Sequence, residues 1–163
     1  MKVALGSDHR GTEAAHALLS HLRHAGHQPF ILGESSGKVC DYPDNAFLVA
    51  QAIRTGDAKV GMLICGSGVG MAMAANKVPG IRAAAAYDEF LAEMSRRHND
   101  ANVLCLSGDL CTTAQLCAIA DAFLAARFEG GRHERRVRKL DAIERGEDPT
   151  TVSPESAPAS PAS

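Results

Sequence analysis

Aromatic side chains are scarce in this sequence, at 4% of 163 residues, and tryptophan is absent. A platform of stacked aromatic rings for nucleic-acid bases is therefore not expected. The sequence also lacks an excess of charge of one sign, since 17 Lys and Arg stand against 19 Asp and Glu. The net charge of −2, with neutral histidines, provides no general basic field, so we expect no dedicated nucleic-acid-binding protein.

Long hydrophobic runs are missing as well. No stretch approaches the roughly 18 apolar residues of a membrane-spanning helix, and the first residues show no signal peptide, so no membrane association is expected. The five cysteines are odd in number and form no CxxC pair. Reduced thiols and a cytoplasmic location are the simplest interpretation.

Short apolar runs alternate with segments of helical periodicity along the chain. The apolar runs predict strands over residues 2–5, 29–32, 60–65, 81–87 and 102–106. The periodic segments predict helices over 13–24, 44–54, 69–77, 88–97 and 113–127, followed by a polar helix over 132–145. Five repeats of strand and helix predict an α/β fold in which helices cover both faces of a five-stranded parallel sheet.

The composition changes near the end of the chain. Residues 148–163 hold four of the seven prolines, among Ser, Thr and Ala, and predict a disordered tail. Residues 1–147 form a single domain in this interpretation. Within it, Thr112 or Thr113 is placed to cap the helix over 113–127.

Glycines and polar residues follow the predicted strands. Asp8 and His9 come after the first strand, Cys65 ends the third, and Asp109 follows the fifth. Because ligands of parallel sheets bind beyond the carboxyl ends of the strands, these residues predict one site at that edge. An imidazole such as that of His9 can move protons there near neutral pH.

The strongest local motif is Cys65-Gly66-Ser67-Gly68-Val69-Gly70, which leads into a predicted helix. Glycines at alternate positions let backbone N–H groups face an anion, and the helix N-terminus adds positive potential. A thiolate is favoured there, so Cys65 is a candidate base that creates an oxyanion, or a nucleophile that attacks a carbonyl. The spacing differs from the GxGxxG of dinucleotide-binding proteins, so no nicotinamide cofactor is expected.

Basic residues and histidines near the end of the domain offer a second group of candidates. Arg132 and Arg136 lie four residues apart on one helix face, an arrangement that suits a phosphate clamp. From spacing alone, His98 is typical of a solvated helix end. No set of His, Cys and carboxylate residues has zinc-site spacing, and we expect no metal.

Several of these motifs, in this order, resemble the ribose-5-phosphate isomerase type B family, which includes galactose-6-phosphate and allose-6-phosphate isomerases. The matching segments are Asp8-His9, Asp41-Tyr42-Pro43, the Cys65–Gly70 motif, residues 74–82, Arg97-His98-Asn99-Asp100 and Gly130-Gly131-Arg132-His133. The resemblance covers residues 1–146. It implies a flavodoxin-like (Rossmann-type) three-layer fold, and a homodimer, or a tetramer built from it, with shared active sites. It also implies interconversion of ribose 5-phosphate and ribulose 5-phosphate without cofactor or metal.

The resemblance further implies roles for individual residues. Cys65 is the base that moves a proton between C1 and C2 through an enediolate, Ser67 assists it, and His98 opens the sugar ring. The remaining residues bind substrate: the backbone of Gly66, Gly68, Val69 and Gly70 holds the oxyanion, Asp8 and Asn99 bind sugar oxygens, Tyr42 lines the pocket, and His9, Arg132 and Arg136 bind the phosphate. His133 is a second candidate for ring handling.

Two positions modify these expectations. Met71 stands where some members place a glutamate base, so the proton transfer falls to Cys65. Asp109 stands where many members place an arginine for the phosphate, so this carboxylate must point away or pair with an arginine. Asp109 leaves open an isomerase of a six-carbon aldose 6-phosphate. Further alternatives are a non-catalytic sugar-phosphate-binding module on the same fold and a flavin or nucleotide protein of flavodoxin type.

Overall fold

The computed structural model describes residues 1–153. The strands are β1 (Lys2–Ser7), β2 (Gln28–Ile31), β3 (Val60–Cys65), β4 (Ala83–Ala85) and β5 (Val103–Ser107). The helices are α1 (Thr12–His24), α2 (Tyr42–Arg54), α3 (Val69–Ala75), α4 (Glu89–Asn99), α5 (Thr113–Ala125) and α6 (Arg132–Glu144). A 3₁₀ turn at Pro149–Thr151 follows.

All five strands are parallel and lie in the order β2-β1-β3-β5-β4. The central strands β3 and β5 are buried along their whole length, as the uninterrupted apolar runs predict for strands covered on both faces. One apolar core lies between the sheet and α1, α4 and α5, and another lies between the sheet and α2 and α3. The predicted α/β fold is confirmed, and Cys65 belongs to the core on the α2–α3 side.

The fourth strand is much shorter than predicted, three residues rather than seven. At its start, the Arg82 N–H donates to the Asn102 side chain (2.8 Å), while the Arg82 carbonyl accepts from Asn102 N–H (3.0 Å). At its far end the chain turns into α4, where Asp88 caps the helix by accepting from Leu91 N–H (2.7 Å). Helix α4 extends two residues beyond the prediction and ends at Asp100, whose φ of 47° is left-handed.

The predicted tail lies only partly within the described residues. Asp148 caps the 3₁₀ turn by accepting from Thr150 N–H (2.8 Å), and Lys139 Nζ donates to the Pro149 carbonyl (2.8 Å). Residues 154–163 of that tail fall outside the described range. Among residues 1–153, no helix has the length and apolar character needed to span a bilayer. All five cysteines are free thiols.

Candidate active site

Cys65 ends β3 and lies almost fully buried beneath the loop that follows it. Its Sγ accepts a hydrogen bond from Gly68 N–H at 3.1 Å. Gly68 directly precedes α3 and adopts a left-handed φ of 79°. Burial raises the pKa of the neighbouring Cys105 thiol, and negative charge on Cys65 raises it further, so Cys105 remains protonated.

Residues at the end of β5 hold this loop in place. Ser107 Oγ donates to the Gly66 carbonyl (2.5 Å), and Asp109 N–H donates to the same oxygen (3.2 Å). Gly108 N–H donates to the Cys65 carbonyl (2.8 Å). The carbonyls of Cys65 and Gly66 are therefore fixed by the end of β5 and by the loop that follows it.

The loop leaves several N–H groups available to a ligand. Val69 N–H is used internally, because it donates to Ser67 Oγ (3.3 Å). Within the described residues, the N–H groups of Gly66, Ser67 and Gly70 have no hydrogen-bond partner. Unpaired donors at the start of α3, next to a buried sulfur, form a suitable environment for a developing oxyanion.

Two predicted substrate-binding residues border the same loop. Asp8 is buried after β1, and its Oδ1 accepts from the N–H groups of Arg10 (2.9 Å) and Gly11 (3.2 Å). Tyr42 begins α2, and its ring packs so closely on Gly70 that a Cβ there would lie 2.8 Å from Tyr42 Cζ. A glycine at position 70 thus lets the tyrosine ring lie against the loop.

The carboxylate of Asp109 pairs with an arginine, one of the two arrangements that the sequence allowed. Arg10 Nη2 lies 2.6 Å from Asp109 Oδ2, and Arg10 Nε lies 3.1 Å from the same oxygen. The hydrogen bond and the charge of Asp109 raise the pKa of Arg10, so the guanidinium remains charged. His9 and Arg10 line one wall of a cavity of about 220 Å³ between α1 and α5.

The remaining predicted site residues lie near the amino ends of the strands, at the other end of the sheet from Cys65. They are His98, Asn99, Arg132 and Arg136. Helix α4 runs back toward the amino ends of the strands, where the Asp100 carbonyl accepts from Arg82 Nε (3.0 Å). Cys65, in contrast, pairs with Ser107 at the carboxyl end of β5. The length of β5 alone separates these positions by roughly 13 Å, so one chain does not unite His98 and Asn99 with Cys65.

Helix α6 packs against α4 and carries Arg132 and Arg136, which are both exposed. The rings of His98 and His133 stack with centroids 4.1 Å apart and planes 3° from parallel. Burial, and then the charges of His98, Arg132 and Arg136, lower the pKa of His133. A lowered pKa keeps this buried imidazole neutral, consistent with the hydrogen bond that its Nε2 accepts from Arg132 Nε (3.2 Å).

Glu129 joins these histidines and was not identified from the sequence. Its Oε2 lies 3.7 Å from the Nε2 atoms of both His98 and His133, and its Oε1 accepts from Arg97 Nε (2.6 Å). The Arg97 hydrogen bond lowers the pKa of Glu129. In the described range this is the one set of three residues whose ligand atoms lie close enough for a metal. Parallel stacked rings direct their nitrogen lone pairs side by side rather than toward one point, and Arg97 already holds the carboxylate, so the set fits a metal poorly.

Asn45 is a second residue that the sequence interpretation missed. It is buried on α2, donates to the Ser7 carbonyl (2.6 Å) and accepts from Glu34 N–H (3.1 Å). It therefore joins the ends of β1 and β2 beside Asp8. An asparagine on the buried face of an apolar helix was the available signal, since buried amides require partners.

Comparison with known proteins identifies the same family over most of the chain. Residues 3–140 match the sequence model described as Ribose/Galactose Isomerase. A probable ribose-5-phosphate isomerase B of Mycoplasma pneumoniae is 45% identical over 144 residues, covering 88% of this chain and 95% of the relative. Ribose-5-phosphate isomerase B of Escherichia coli is 42% identical over 143 residues, covering 88% and 96%.

Solved structures agree with the sequence matches. The ribose-5-phosphate isomerase B of Clostridium thermocellum superposes with a TM-score of 0.88 at 41% identity, covering 90% of this chain and 99% of that one. The Mycoplasma genitalium enzyme, solved with bound ribulose 5-phosphate, gives 0.84 at 42% identity, covering 88% and 96%. These matches establish that the chain belongs to the Ribose/Galactose Isomerase family.

Proposed function

We propose that this chain interconverts ribose 5-phosphate and ribulose 5-phosphate through an enediolate, with Cys65 as base and without cofactor or metal. Relatives named ribose-5-phosphate isomerase B, matched over nearly their whole length, support the activity. The relative with bound ribulose 5-phosphate supports the substrate. The observation that carries the mechanism is the buried Cys65 Sγ, 3.1 Å from Gly68 N–H and beside unpaired loop donors.

Cys65 performs the proton transfer in this scheme. Its thiolate removes the proton from C2 of the open-chain aldose, the C2 electron pair forms the C1–C2 double bond, and charge moves to the oxygen on C1. The N–H groups of Gly66, Ser67 and Gly70 stabilise that oxygen. The hydroxyl proton on the C2 oxygen passes to the C1 oxygen, which moves the negative charge to the C2 oxygen. The electron pair of that oxygen then forms the C2 ketone while C1 takes the proton back from sulfur, so a single thiol serves both half-reactions at carbon.

The other half of the site comes from a second copy of the chain. His98 opens the ring, Asn99 binds a sugar oxygen, and Arg132 and Arg136 bind the phosphate, although all four lie away from Cys65 in one chain. An isologous dimer places the α4–α6 edge of each copy against the Cys65 loop of the other. The dianionic phosphate then supplies remote binding energy that aligns the reacting carbons.

An exposed apolar surface beside the loop supports the dimer. Phe47 on α2 and Met73 on α3 are 51% and 64% exposed, and Tyr42 and Val69, which begin the same two helices, are exposed as well. A patch of this kind on a soluble domain is typical of a protein interface. The reduced thiols that the mechanism requires are consistent with action in the cytoplasm.

A six-carbon aldose 6-phosphate remains a second candidate substrate because of Asp109. Its pairing with Arg10 (2.6 Å) gives this end of the site a different charge distribution from a lone arginine. A longer sugar would place its phosphate at a different distance from Cys65. The two substrates are separated by direct assay.

The test is the isomerisation rate of purified protein with ribose 5-phosphate, with chelator present. Allose 6-phosphate and galactose 6-phosphate are assayed in parallel. We expect turnover with ribose 5-phosphate and a kcat about 100- to 10,000-fold lower in Cys65→Ala, in line with loss of a positioned base. Cys117→Ala, a half-buried thiol on α5, is the matched control and should retain wild-type kcat.

Other outcomes would redirect the assignment. A rate confined to a six-carbon substrate would replace the substrate and keep the mechanism. Phosphosugar binding without turnover by any variant would favour a binding module. Activity that chelator abolishes and a divalent ion restores would contradict the metal-free mechanism.

A further inference from the structure

Arg10 and Asp109 form an ion pair directly over the loop that carries Cys65, yet the mechanism above uses neither residue. A Cβ added to Gly66 would lie 2.9 Å from Arg10 Nε and 2.9 Å from Asp109 Oδ2. The pair therefore rests on the glycine backbone next to the reactive thiol. Its partners come from loops 99 residues apart in the chain.

The backbone of each partner is already anchored. Arg10 N–H donates to Asp8 Oδ1 (2.9 Å), and Asp109 N–H donates to the Gly66 carbonyl (3.2 Å). The side chains meet through Arg10 Nε and Nη2, while Nη1 has no partner in the part of the chain that the structure describes. One edge of the guanidinium thus binds the carboxylate and the other remains free to donate.

The charge distribution at this edge gives Arg10 particular weight. The loops that follow β1, β3, β4 and β5 cover residues 8–11, 66–68, 86–88 and 108–112, and Arg10 is the single Lys or Arg in them. The loop after the edge strand β2, residues 32–41, carries Lys38. The carboxylate of Asp109 would repel a phosphate at this edge if it were unpaired. Arg10 removes that repulsion and still has donors to spare, because a guanidinium carries five N–H groups.

A cavity of suitable character lies beside the pair. Its volume is about 220 Å³, and its walls include His9, Arg10, Gly108 and Thr113 at the start of α5. Glu13 also lines the cavity, and its carboxylate would repel a bound anion. The positive charge of Arg10 must offset this repulsion. His9 and the N-terminus of α5 add donors to those of Arg10.

We propose that Arg10 binds the substrate phosphate at the carboxyl edge of the sheet and that Asp109 is the residue that positions it. The inference rests on the proposed function for the presence of a phosphorylated substrate. Arg10 and Asp109 act as one unit, in which the carboxylate holds the guanidinium over Gly66 with its Nη1 edge toward the phosphate. Arg132 and Arg136 of the partner subunit approach the same phosphate from the other side.

The experiment separates KM from kcat in the isomerase assay. Arg10→Gln should raise KM about 10- to 100-fold, the range for loss of a charged hydrogen bond, with kcat within about threefold of wild type. Asp109→Asn should also raise KM, by about 3- to 10-fold, because the guanidinium is no longer held. The double variant should be no worse than Arg10→Gln, since Asp109 acts through Arg10.

Arg145→Gln is the matched control. Arg145 is 56% exposed and pairs with Glu147 at 2.7 Å, close to the exposure and geometry of the Arg10 pair, but at the far end of α6. Its kinetic constants should equal those of wild type. Unchanged KM in Arg10→Gln would overturn the phosphate contact. A lower KM in Asp109→Asn would overturn the positioning role, because it would show that the carboxylate only repels the substrate.

Binding of inorganic phosphate, measured by calorimetry, tests the same inference without turnover. The dissociation constant should rise about tenfold or more in Arg10→Gln and remain unchanged in Arg145→Gln. If wild type turns over no aldose phosphate but Arg10→Gln still weakens phosphate binding, the proposed reaction fails and the anion contact stands. If wild type is active and Arg10→Gln binds phosphate normally, the reaction stands and the contact fails.

Discussion

Gly68 is required by both its backbone angle and its neighbour. Its φ of 79° lies in the left-handed region, and a Cβ would lie 2.9 Å from the Leu106 carbonyl oxygen on β5. Gly26, after α1, has nearly the same angle, φ 81°, but a Cβ added there would have no atom within 4 Å. The two glycines therefore share a backbone angle but differ in the space available for a Cβ.

Alanine substitutions at these glycines should separate the cost of a left-handed backbone from the cost of a steric clash between the new Cβ and β5. We expect Gly26→Ala to lower the free energy of unfolding by about 1 to 2 kcal/mol, the cost of a left-handed alanine. Gly68→Ala should cost at least about 2 kcal/mol more, because the backbone of β5 must shift. Urea unfolding at one protein concentration measures both free energies. Equal losses in the two variants would contradict the prediction, because they would show that the loop accommodates the added Cβ at no extra cost.

His133 makes stability depend on pH through its lowered pKa. In the unfolded chain the imidazole takes up a proton as the pH falls through its ordinary value of 6.5, while in the folded protein it remains neutral to lower pH. The unfolded state therefore binds more protons in this range. The contribution of neutral His133 is complete above pH 6.5 and is lost as the pH falls below it.

The prediction is a decline in the free energy of unfolding between pH 7.5 and 5.5 that is shallower in His133→Gln. Glu129 also has a lowered pKa, but its ordinary value of 4.5 places its effect below this window. His24→Gln, on the exposed end of α1, should keep the wild-type slope. Denaturant unfolding at a series of pH values provides the slopes, and parallel wild-type and His133→Gln curves would contradict the prediction.

At the scale of elements, α5 shows how a local cap is chosen. Thr112 accepts from Gln115 N–H (3.3 Å), and Gln115 Oε1 accepts from Thr112 N–H (2.8 Å), which completes a capping box. Thr113 is the next residue and begins the helix. The sequence left both threonines open as the cap, because either one precedes the apolar positions of the helix.

The two threonines should respond differently to removal of the hydroxyl. Thr112→Ala is expected to lower the free energy of unfolding by about 1 kcal/mol, because it leaves Gln115 N–H without its acceptor. Thr113→Ala is expected to stay within about 0.5 kcal/mol of wild type. Thermal and urea unfolding compare them, and a larger loss at Thr113 would move the cap by one residue.

For the whole molecule, the separation of Cys65 from His98 leads to a subunit-mixing experiment. Cys65→Ala and His98→Gln homodimers should each be nearly inactive. Random reassembly of an equal mixture makes half of the dimers mixed, and each mixed dimer contains one site with both native residues. About a quarter of the wild-type activity should therefore return. Activity that stays at the level of the parent variants would show that Cys65 and His98 serve the same chain's site.

The fold could be predicted well because its signals are local. Uninterrupted apolar runs identify strands buried on both faces, and helical periodicity identifies the layers that cover them. The fourth strand was predicted too long: at its start the Arg82 N–H bonds to the Asn102 side chain, and at its end the chain turns into α4 at Asp88. The roles of the site residues, the dimer and the domain boundary at 147 stay predictions.

The sequence by itself determined the Cys65 loop, because alternating glycines, a thiol and a helix start lie within six consecutive residues. Only the tertiary structure decided that His98 stacks on His133, that Arg10 pairs with Asp109, and that His98 lies at the other end of β5 from Cys65. These relations join residues 33 to 99 positions apart. They depend on where each crossover helix brings the chain back to the sheet. No local pattern of residues specifies which distant side chains then meet.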